Sequence, residues 1–212
     1  MTVTEIFKSV QGESTWAGLP CVFVRLTGCN LRCPWCDTRY AYEGGTEMTI
    51  GEVVKRVGQF ECILVEITGG EPLLQAETAL LTDRFLGMGM TVLCETNGTQ
   101  PIDRLPAGVI RIMDLKSPSS GACEATDWDN VERLGPRDEV KFVIADRRDY
   151  EWSRDVTARY GLQGRCNAVL FSPVIERIQP RRLAEWILED RLDVRFQLQL
   201  HKIVWGPDAR GV

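Results

Sequence analysis

The sequence lacks long apolar segments. No apolar run approaches the roughly 20 residues that a membrane-spanning helix needs, so we expect no membrane partner. The first eight residues also lack the basic stretch followed by an apolar stretch that marks a secretory signal. We therefore expect a cytoplasmic protein.

Runs of lysine and arginine are absent too. The 25 Lys and Arg residues against 30 Asp and Glu residues give a formal net charge of −5, which disfavours binding to the phosphate backbone of a nucleic acid. There is no internal repeat or low-complexity tract, and 212 residues suit one domain of ordinary to large size. We predict a single domain over residues 1–212 and no nucleic-acid partner.

Histidine is nearly absent, whereas cysteine is plentiful. The chain has one histidine, His201, and eight cysteines. In a reducing compartment, so many cysteines indicate metal or redox chemistry rather than disulfide bonds. Cys29, Cys33 and Cys36 lie within eight residues, so one short loop could present three thiolates to one point. Thiolates are soft ligands that select iron–sulfur clusters, zinc or copper(I).

Two kinds of metal site fit this loop. A four-iron cluster normally takes four cysteines, so a loop with three leaves one iron free to bind another ligand. A structural zinc ion would need a fourth protein ligand, for which Cys21 is the candidate. Zinc sites usually combine two separated cysteine pairs, or cysteines with histidines, and the chain has one histidine and no second close pair. The spacing favours the cluster, and zinc is the alternative.

The predicted elements alternate mostly between strand and helix. Such an order implies a largely parallel sheet with right-handed crossovers. A closed eight-stranded barrel needs roughly 250 residues, so this shorter chain predicts an α/β fold with a partial, open barrel. The predicted strands cover 2–8, 20–26, 62–68, 91–95, 109–114, 140–144, 168–171 and 194–200. The predicted helices begin at the capping box Thr49–Glu52, at Pro72, after the strand 140–144 and at Pro180.

Polar and glycine-rich segments recur where the predicted strands end. Ligands bind to α/β sheets at the C-terminal ends of the strands. We therefore predict that these segments form one site. They are 29–38, 68–71, 95–98, 114–120 and Ser172.

Arg25 lies on a half-buried predicted strand, shortly before the first cysteine of the loop. A buried arginine needs an anionic partner. That partner is either an acidic side chain in a structural salt bridge or a substrate carboxylate held by the planar guanidinium. For Lys116 and Lys141, each taken alone, we predict salt bridges. Four further cysteines are predicted to be small buried hydrophobic residues: Cys62, Cys94, Cys123 and Cys166.

Several of these motifs resemble known families. The cysteine spacing, with Trp35 before the last cysteine and the run Gly69–Pro72 further on, resembles the radical S-adenosylmethionine (SAM) superfamily. Over the whole chain the sequence is similar to one branch of it, the 7-carboxy-7-deazaguanine synthase family. That resemblance rests on Gln11-Gly12-Glu13, Arg25, Cys36-Asp37-Thr38, Thr68 to Pro72, Glu95 to Gly98, Asp114 to Lys116 and His201-Lys202.

The resemblance implies a lyase of 7-deazapurine (queuosine precursor) biosynthesis. That family converts 6-carboxy-5,6,7,8-tetrahydropterin to 7-carboxy-7-deazaguanine and releases ammonia in a radical ring contraction. It uses a 4Fe-4S cluster, SAM and Mg2+. The resemblance also implies a homodimer and an electron donor such as a flavodoxin or ferredoxin.

The resemblance further implies residue roles. Arg25 and Glu13 would be the catalytic residues, with Arg25 paired to the substrate carboxylate and Glu13 and Gln11 at the aminopyrimidinone edge. The cluster would be held by Cys29, Cys33 and Cys36, and Mg2+ by Thr38. SAM would contact Trp35, Cys36, Asp37, Gly70, Glu95, Asn97, Lys116 and Ser172. The pterin would contact Val10, Gln11, Gly12, Glu13, Arg25, Thr68 and His201.

The chain departs from the family pattern at two places. Ser14 stands where the family often has glycine, and serine is less comfortable in a turn with positive φ. Some relatives end close to the equivalent of Pro207, and if their terminal carboxylate contacts the substrate, either Pro207 or Val212 is the equivalent position here.

Two other functions are alternatives. The first is a glycyl-radical activase, which would act on a partner protein and would not need Gln11 to Glu13 or Arg25. The second is a non-catalytic iron–sulfur or zinc protein with Cys21 as the fourth ligand.

Overall fold

The computed structural model describes residues 1–207 and 209–212. Within these residues, nine strands form one sheet. The strands are β1 (Thr2–Val10), β2 (Pro20–Leu26), β3 (Thr46–Glu47), β4 (Leu64–Gly69), β5 (Thr91–Thr96), β6 (Ile110–Asp114), β7 (Glu139–Ile144), β8 (Ala168–Pro173) and β9 (Arg195–Phe196). The helices are α1 (Ile50–Gly58), α2 (Thr78–Gly87), α3 (Asp129–Arg133), α4 (Arg147–Arg159), α5 (Leu162–Arg165), α6 (Pro180–Glu189) and α7 (Leu200–Trp205). None of these helices has the length and apolar character to cross a membrane.

The sheet is mostly parallel and open. Its strand order is β3-β1-β2-β4-β5-β6-β7-β8-β9. Strand β1 is antiparallel to β2 and β3, whereas β2 and the strands from β4 to β9 all run parallel to one another. Because β3 and β9 form the two edges and do not pair, the predicted α/β fold with a partial barrel is confirmed.

Helices cover the outer face of the sheet. Side chains of a strand alternate between the two faces, so Val22, Val24 and Ile67 point outward into the main core, where Val53 of α1 and Phe85 of α2 also pack. Burial of each such side chain stabilises the fold by roughly 1.5–3 kcal/mol. Helix α1 begins with the predicted capping box, in which the Thr49 hydroxyl accepts from Glu52 N at 3.2 Å and Thr49 N donates to the Glu52 carboxylate at 2.7 Å.

The inner face changes character along the strands. Near their N-terminal ends it carries a small apolar cluster that includes Cys21, Phe23 and Leu93. Further along, the same face carries charged residues of four neighbouring strands. They are Glu66, Glu95, Asp114 and Lys141. The C-terminal ends of the strands therefore bear the charge, as the polar segments of the sequence predict.

The helix predicted to begin at Pro72 is interrupted. Pro72–Leu74 forms only a 3-10 turn, and Leu74 is exposed rather than inward-facing. The extended backbone at Gln75 ends the turn because its side chain bonds to the backbone of Thr2 and Thr27, with three contacts of 2.8–2.9 Å. A regular helix starts only at Thr78.

The prediction of a strand over residues 194–200 is confirmed only near its start and is wrong for the rest. Only Arg195–Phe196 pairs with the sheet, and His201 lies on α7. Gln197 N still donates to Phe171 O of β8 at 2.9 Å, but the Gln197 side-chain Nε2 donates to Ser14 O at 3.1 Å. Leu200 N then donates to Gly12 O at 2.9 Å, so the chain leaves the sheet for the loop after β1. This brings the two ends of the chain together.

Ser14 adopts the left-handed conformation that the comparison with glycine predicts. Its φ is +64°, and its buried hydroxyl accepts a bond of 3.1 Å from Trp16 N. The hydroxyl therefore offsets part of the strain that an L-residue carries in this region, which is about 1–2 kcal/mol.

We expect Ser14→Ala to lower the free energy of unfolding by about 1 kcal/mol, because it retains the strain and loses the hydrogen bond. Ser14→Gly loses the same bond but relieves the strain, so we expect a smaller change. Urea unfolding of the three proteins measures the difference. An alanine variant as stable as the glycine variant would contradict this account.

Candidate active site

One pocket lies at the C-terminal ends of the parallel strands and brings together nearly all predicted site residues. Ser172 is buried and does not line it, although its neighbour Pro173 does. The predicted site residues that line the pocket are Val10, Gln11, Gly12, Glu13, Arg25, Cys29, Cys33, Trp35, Cys36, Asp37, Thr38, Thr68, Gly70, Glu95, Asn97, Lys116 and His201.

The cysteine loop is closed at its base and pressed against the glycines after β4. Gly28 N donates to Ala41 O at 2.8 Å. A Cβ on Gly70 would lie 2.1 Å from Gly28 O and 2.7 Å from Cys29 Cβ. No other residue fits at this position without displacing the backbone, so the glycine serves a close approach rather than an ordinary turn.

Glu71 fixes the turn after β5 beside this loop. Its fully buried carboxylate accepts from Asn97 N at 2.6 Å, Thr96 Oγ1 at 2.8 Å and Leu73 N at 3.0 Å. Asn97 Nδ2 in turn lies 3.2 Å from Asn30 Oδ1 and 4.0 Å from Cys29 Sγ. The glutamate after the two glycines therefore positions Asn97 against the cysteine loop.

Lys141 lies among three carboxylates at the centre of the pocket. Its Nζ is 2.8 Å from Glu13 Oε2 and 3.4 Å from Asp114 Oδ2, and it also donates to Glu95. Lys116 Nζ is 2.8 Å from the same Asp114 oxygen. The salt bridges predicted for both lysines are present.

Burial and the lysines act in opposite directions on these carboxylates. Burial works to raise the pKa of Glu13, but Lys141 and His201 outweigh it and the pKa is lowered. Burial likewise works to raise the pKa of Asp114, and Lys116 and Lys141 together lower it. Both carboxylates are therefore ionised near neutral pH.

The loop after β1 is held by side-chain amides. Gln199 Nε2 donates to Glu13 Oε1 at 2.8 Å, and Gln11 Oε1 accepts from Glu13 N at 3.0 Å. Gln11 Nε2 donates to the buried carboxyl of Glu66. Both functional groups of Gln11 and both oxygens of Glu13 thus bind other protein groups.

Arg25 has an acidic partner and also faces the pocket. Its Nε donates to Glu5 Oε1 at 2.8 Å, and Tyr40 OH donates to the same oxygen at 2.8 Å. The structural salt bridge is therefore present. It uses Nε, so it leaves the terminal guanidinium nitrogens for a further anion in the pocket.

Helix α7 closes one side of the pocket. A Cβ on Gly12 would lie 2.2 Å from His201 Nδ1, and Lys202 Nζ is 2.9 Å from Asp37 Oδ2. Burial works to raise the pKa of Asp37, but Lys202 outweighs it and the pKa is lowered. Of the two terminal candidates, Val212 lines this pocket, whereas Pro207 lines a neighbouring groove.

Comparisons with known proteins identify the family of this chain. The model of the Radical SAM superfamily matches residues 23–113. The sequence is 45% identical over 226 residues to the 7-carboxy-7-deazaguanine synthase of Koribacter versatilis, with all of both chains covered. It is 48% identical over 215 residues to that of Chlorobaculum tepidum, covering 100% of this chain and 97% of the other. The chain belongs to the 7-carboxy-7-deazaguanine synthase family.

A solved structure supports the fold. The crystal structure of QueE from Escherichia coli matches with a TM-score of 0.72 and 23% identity, over 94% of each chain. The fold of this member of the synthase family is thus that of a radical SAM protein.

The cysteine loop fits the 4Fe-4S cluster that the superfamily implies. Three half-buried thiols line the pocket, at Cys29, Cys33 and Cys36. In residues 1–207 and 209–212, no group of three His, Cys, Asp or Glu side chains is arranged around one metal ion. Cluster cysteines bind different irons and need not converge on one point, so this geometry suits a cluster better than zinc.

The prediction that Cys21 is the fourth ligand of a zinc or iron–sulfur site is wrong. It is fully buried in the apolar cluster near the N-terminal ends of the strands and does not line the pocket. Burial, chiefly, raises the pKa of its thiol, which disfavours the thiolate that a metal needs. Cys94 and Cys166 are buried as predicted, whereas that prediction is wrong for the partly exposed Cys62 and Cys123.

Several residues in the pocket or beside it are not identified by the motifs. The sequence marks Glu66 and Lys141, because each is a charged residue within an otherwise apolar strand. It does not mark Glu5 and Gln199, since the residues that they bind are distant in the sequence: Glu5 bonds to Arg25, and Gln199 to Glu13.

We expect Lys141→Met to lower the free energy of unfolding by about 3–5 kcal/mol at pH 7, because three carboxylates lose their buried cation. Without it, burial raises the folded pKa of Glu13 above the unfolded value near 4. Stability from protonation of Glu13 is then present at low pH and lost as pH rises through the folded pKa. The deficit should therefore grow between pH 4 and pH 8.

Urea unfolding across that pH range measures the effect. Lys8→Met is the control, because the exposed Lys8 only donates to Phe60 O, at 3.0 Å. A deficit for Lys141→Met that stays constant with pH would refute the role of the ionised carboxylates.

Proposed function

We propose that this protein is a 7-carboxy-7-deazaguanine synthase. It converts 6-carboxy-5,6,7,8-tetrahydropterin to 7-carboxy-7-deazaguanine and releases ammonia. The observation that carries the proposal is that one pocket joins the segment Gln11–Glu13, Arg25 and His201 with the three-cysteine loop. Relatives that match along the whole chain bear the same name.

The two cofactors would occupy the side of the pocket formed by the cysteine loop. Cys29, Cys33 and Cys36 would hold the cluster, and SAM would contact Gly70, Asn97 and other residues assigned to it. When bound, cluster and SAM together supply a carbon-centred radical that removes a hydrogen atom from the substrate. Gly70 supports this arrangement, because the absence of a side chain there lets the turn after β4 pack directly against Gly28 and Cys29 at the start of the loop.

The pterin would occupy the side formed by the loop after β1, β2 and α7. Arg25 would bind its carboxylate through the terminal guanidinium nitrogens, while Glu5 and Tyr40 hold the side chain in place. Helix α7 and Val212 exclude water from this part of the pocket. The protein thus orients the substrate for hydrogen removal and separates it from competing quenchers.

An anaerobic assay tests the proposal. The protein is reconstituted with iron and sulfide, reduced, and mixed with SAM, Mg2+ and 6-carboxytetrahydropterin, and 7-carboxy-7-deazaguanine is followed by mass. SAM cleavage without this product would reject the substrate and return the glycyl-radical activase to consideration. No SAM cleavage, with zinc bound instead of a cluster, would reject the enzyme altogether.

Arg25→Ala should lower kcat/KM for the pterin at least about 30-fold, the cost of removing one partner of a buried charge pair, and leave the iron and sulfide content unchanged. Glu5→Gln is the matched control, because it removes the structural partner and keeps the guanidinium. Equal losses in the two variants would mean that Arg25 acts only through its salt bridge with Glu5 and does not bind the substrate carboxylate.

A magnesium ion at Thr38 forms part of the proposal. The Thr38 hydroxyl lines the pocket 3.6 Å from Cys36 Sγ, and a hydroxyl oxygen suits Mg2+, which keeps several waters and takes ligands from substrate. Thr38→Ala should raise the Mg2+ concentration for half-maximal rate about 10-fold, whereas Thr38→Ser should not. An unchanged magnesium response in Thr38→Ala would exclude the site.

The proposal includes an electron donor, a homodimer and a cytoplasmic location. The exposed Arg32 and Arg39 beside the cysteine loop suit an acidic flavodoxin or ferredoxin as electron donor. The exposed apolar residues Ile203, Val204 and Trp205 suit a homodimer contact. A monomeric mass by light scattering would reject the dimer. Reduction by a flavodoxin or ferredoxin at a rate that does not depend on salt concentration would reject the charged contact with the donor. The free cysteines suit a reducing, cytoplasmic location, and recovery of the protein outside that compartment would reject it.

A further inference from the structure

Glu66 has a carboxyl oxygen that no protein group binds. It lies on β4, is 3% exposed, and lines the pocket. Its Oε2 accepts from Gln11. Across residues 1–207 and 209–212, Oε1 has no hydrogen-bond partner, yet it is not sealed beneath other atoms. This oxygen therefore faces the open space of the pocket.

The other acids and amides at this depth are committed. Glu13 uses one oxygen for Lys141 and the other for Gln199. Gln11 uses its nitrogen for Glu66 and its oxygen for Glu13 N. Asp114 also has an unpaired oxygen, but that atom is sealed from the pocket. Glu95 binds Lys141 through one oxygen and keeps the other free, but it lies two residues beyond Leu93, the β5 partner of Glu66, and so nearer the mouth of the pocket. Glu66 is thus the acid with a free oxygen at the deeper level.

The surroundings of Glu66 leave its charge poorly compensated. Burial raises its pKa well above the ordinary value, and Glu95 and Glu13 add to that effect, whereas Lys141 and Arg25 oppose it only in part. The raised pKa favours the neutral acid in the empty pocket, and N–H donors of a ligand would favour the ionised form. A ligand that brings such donors would complete the site.

The shape around Glu66 suits a flat ring. Phe23 pairs with Glu66 across β2 and β4, and its ring stacks on Phe7 at 5.1 Å between centroids and 15° between planes. Both rings line the pocket. Arg25 pairs with Thr68 two residues further along the same strands, so Glu66 lies roughly 6.6 Å deeper than the Arg25 level.

We propose that Glu66 binds the 2-amino and N3–H edge of the pterin ring and thereby selects an aminopyrimidinone substrate. This inference rests on the proposed function. With its carboxylate at Arg25, the ring extends down the pocket beside Phe23. Its donor edge then meets Oε1 of Glu66, while Gln11 holds the other oxygen.

The test compares the binding of two ligands to the wild type and to a Glu66 variant. The stable probes are 6-carboxypterin and 6-carboxylumazine, which differ in that the 2-amino donor of the pterin is a 2-oxo acceptor in the lumazine. Their dissociation constants are measured by anaerobic equilibrium dialysis with the reconstituted, SAM-bound enzyme. The wild type should prefer the pterin by at least about 10-fold, because a carboxylate accepts from the amino group and repels the oxo group.

Glu66→Gln should lower this preference about 10-fold or more, since the amide nitrogen then faces the 2-oxo group. A merely structural role would weaken both ligands equally and leave the ratio unchanged, and that result overturns the proposal. If Glu66→Gln does not fold, Glu66→Asp replaces it, because the shorter carboxylate also reduces the ratio.

Asp138→Asn is the matched control. Asp138 is a buried carboxylate paired with Arg111 at 3.0 Å and does not line the pocket, so the wild-type ratio should persist. If the wild type makes 7-carboxy-7-deazaguanine but has the same ratio of the two dissociation constants as Glu66→Gln, the role of Glu66 is rejected and the proposed function stands. A wild type that binds neither probe and makes no product rejects both proposals.

Discussion

The ammonium group of Lys141 connects parts of the chain that are far apart in sequence. Its carboxylate partners come from the loop after β1, from β5 and from β6. Each of these charges would be costly to bury alone, because desolvation of a single ion exceeds what neutral hydrogen bonds return. The cation therefore makes a charged inner face compatible with a folded sheet. It also gives the predicted substrate side and the predicted SAM side of the pocket a common contact.

The charges share this pocket because of the direction of the strands. In a parallel sheet all C-terminal ends lie at one edge, so residues at equivalent positions on neighbouring strands converge. The outer face, by contrast, carries the apolar side chains that pack on the helices. One face thus supplies most of the hydrophobic stabilisation, and the other is free to hold polar groups against a ligand.

Much of this arrangement could be predicted from local patterns. The strand periodicities, the capping box at Thr49 and the polar segments after the strands each depend on neighbouring residues, and all recur in the structure. What local patterns could not give are contacts set by tertiary structure. Gln75 ends a helix through bonds to Thr2 and Thr27, and residues 197–200 leave the sheet for the loop after β1.

The candidate site divides in the same way. Residues within compact motifs, such as the three cysteines and Gly70, could be assigned before the fold was known. The acidic partner of Arg25 could not, because a half-buried arginine specifies the sign of its partner and not its position. Glu66 and Lys141 lie between these cases, since a charge within an apolar strand indicates a polar contact without naming the partner.

The contact between Gly12 and His201 has a consequence for biosynthesis. Bonds from Gln197 to Ser14 and from Gln199 to Glu13 span 183 and 186 residues. While the ribosome still holds residues 197–205, the loop after β1 has none of these partners. The sheet can assemble strand by strand as it emerges, but the pocket is completed only once this segment has also emerged, and a cluster inserted before that point would be open to solvent on the α7 side.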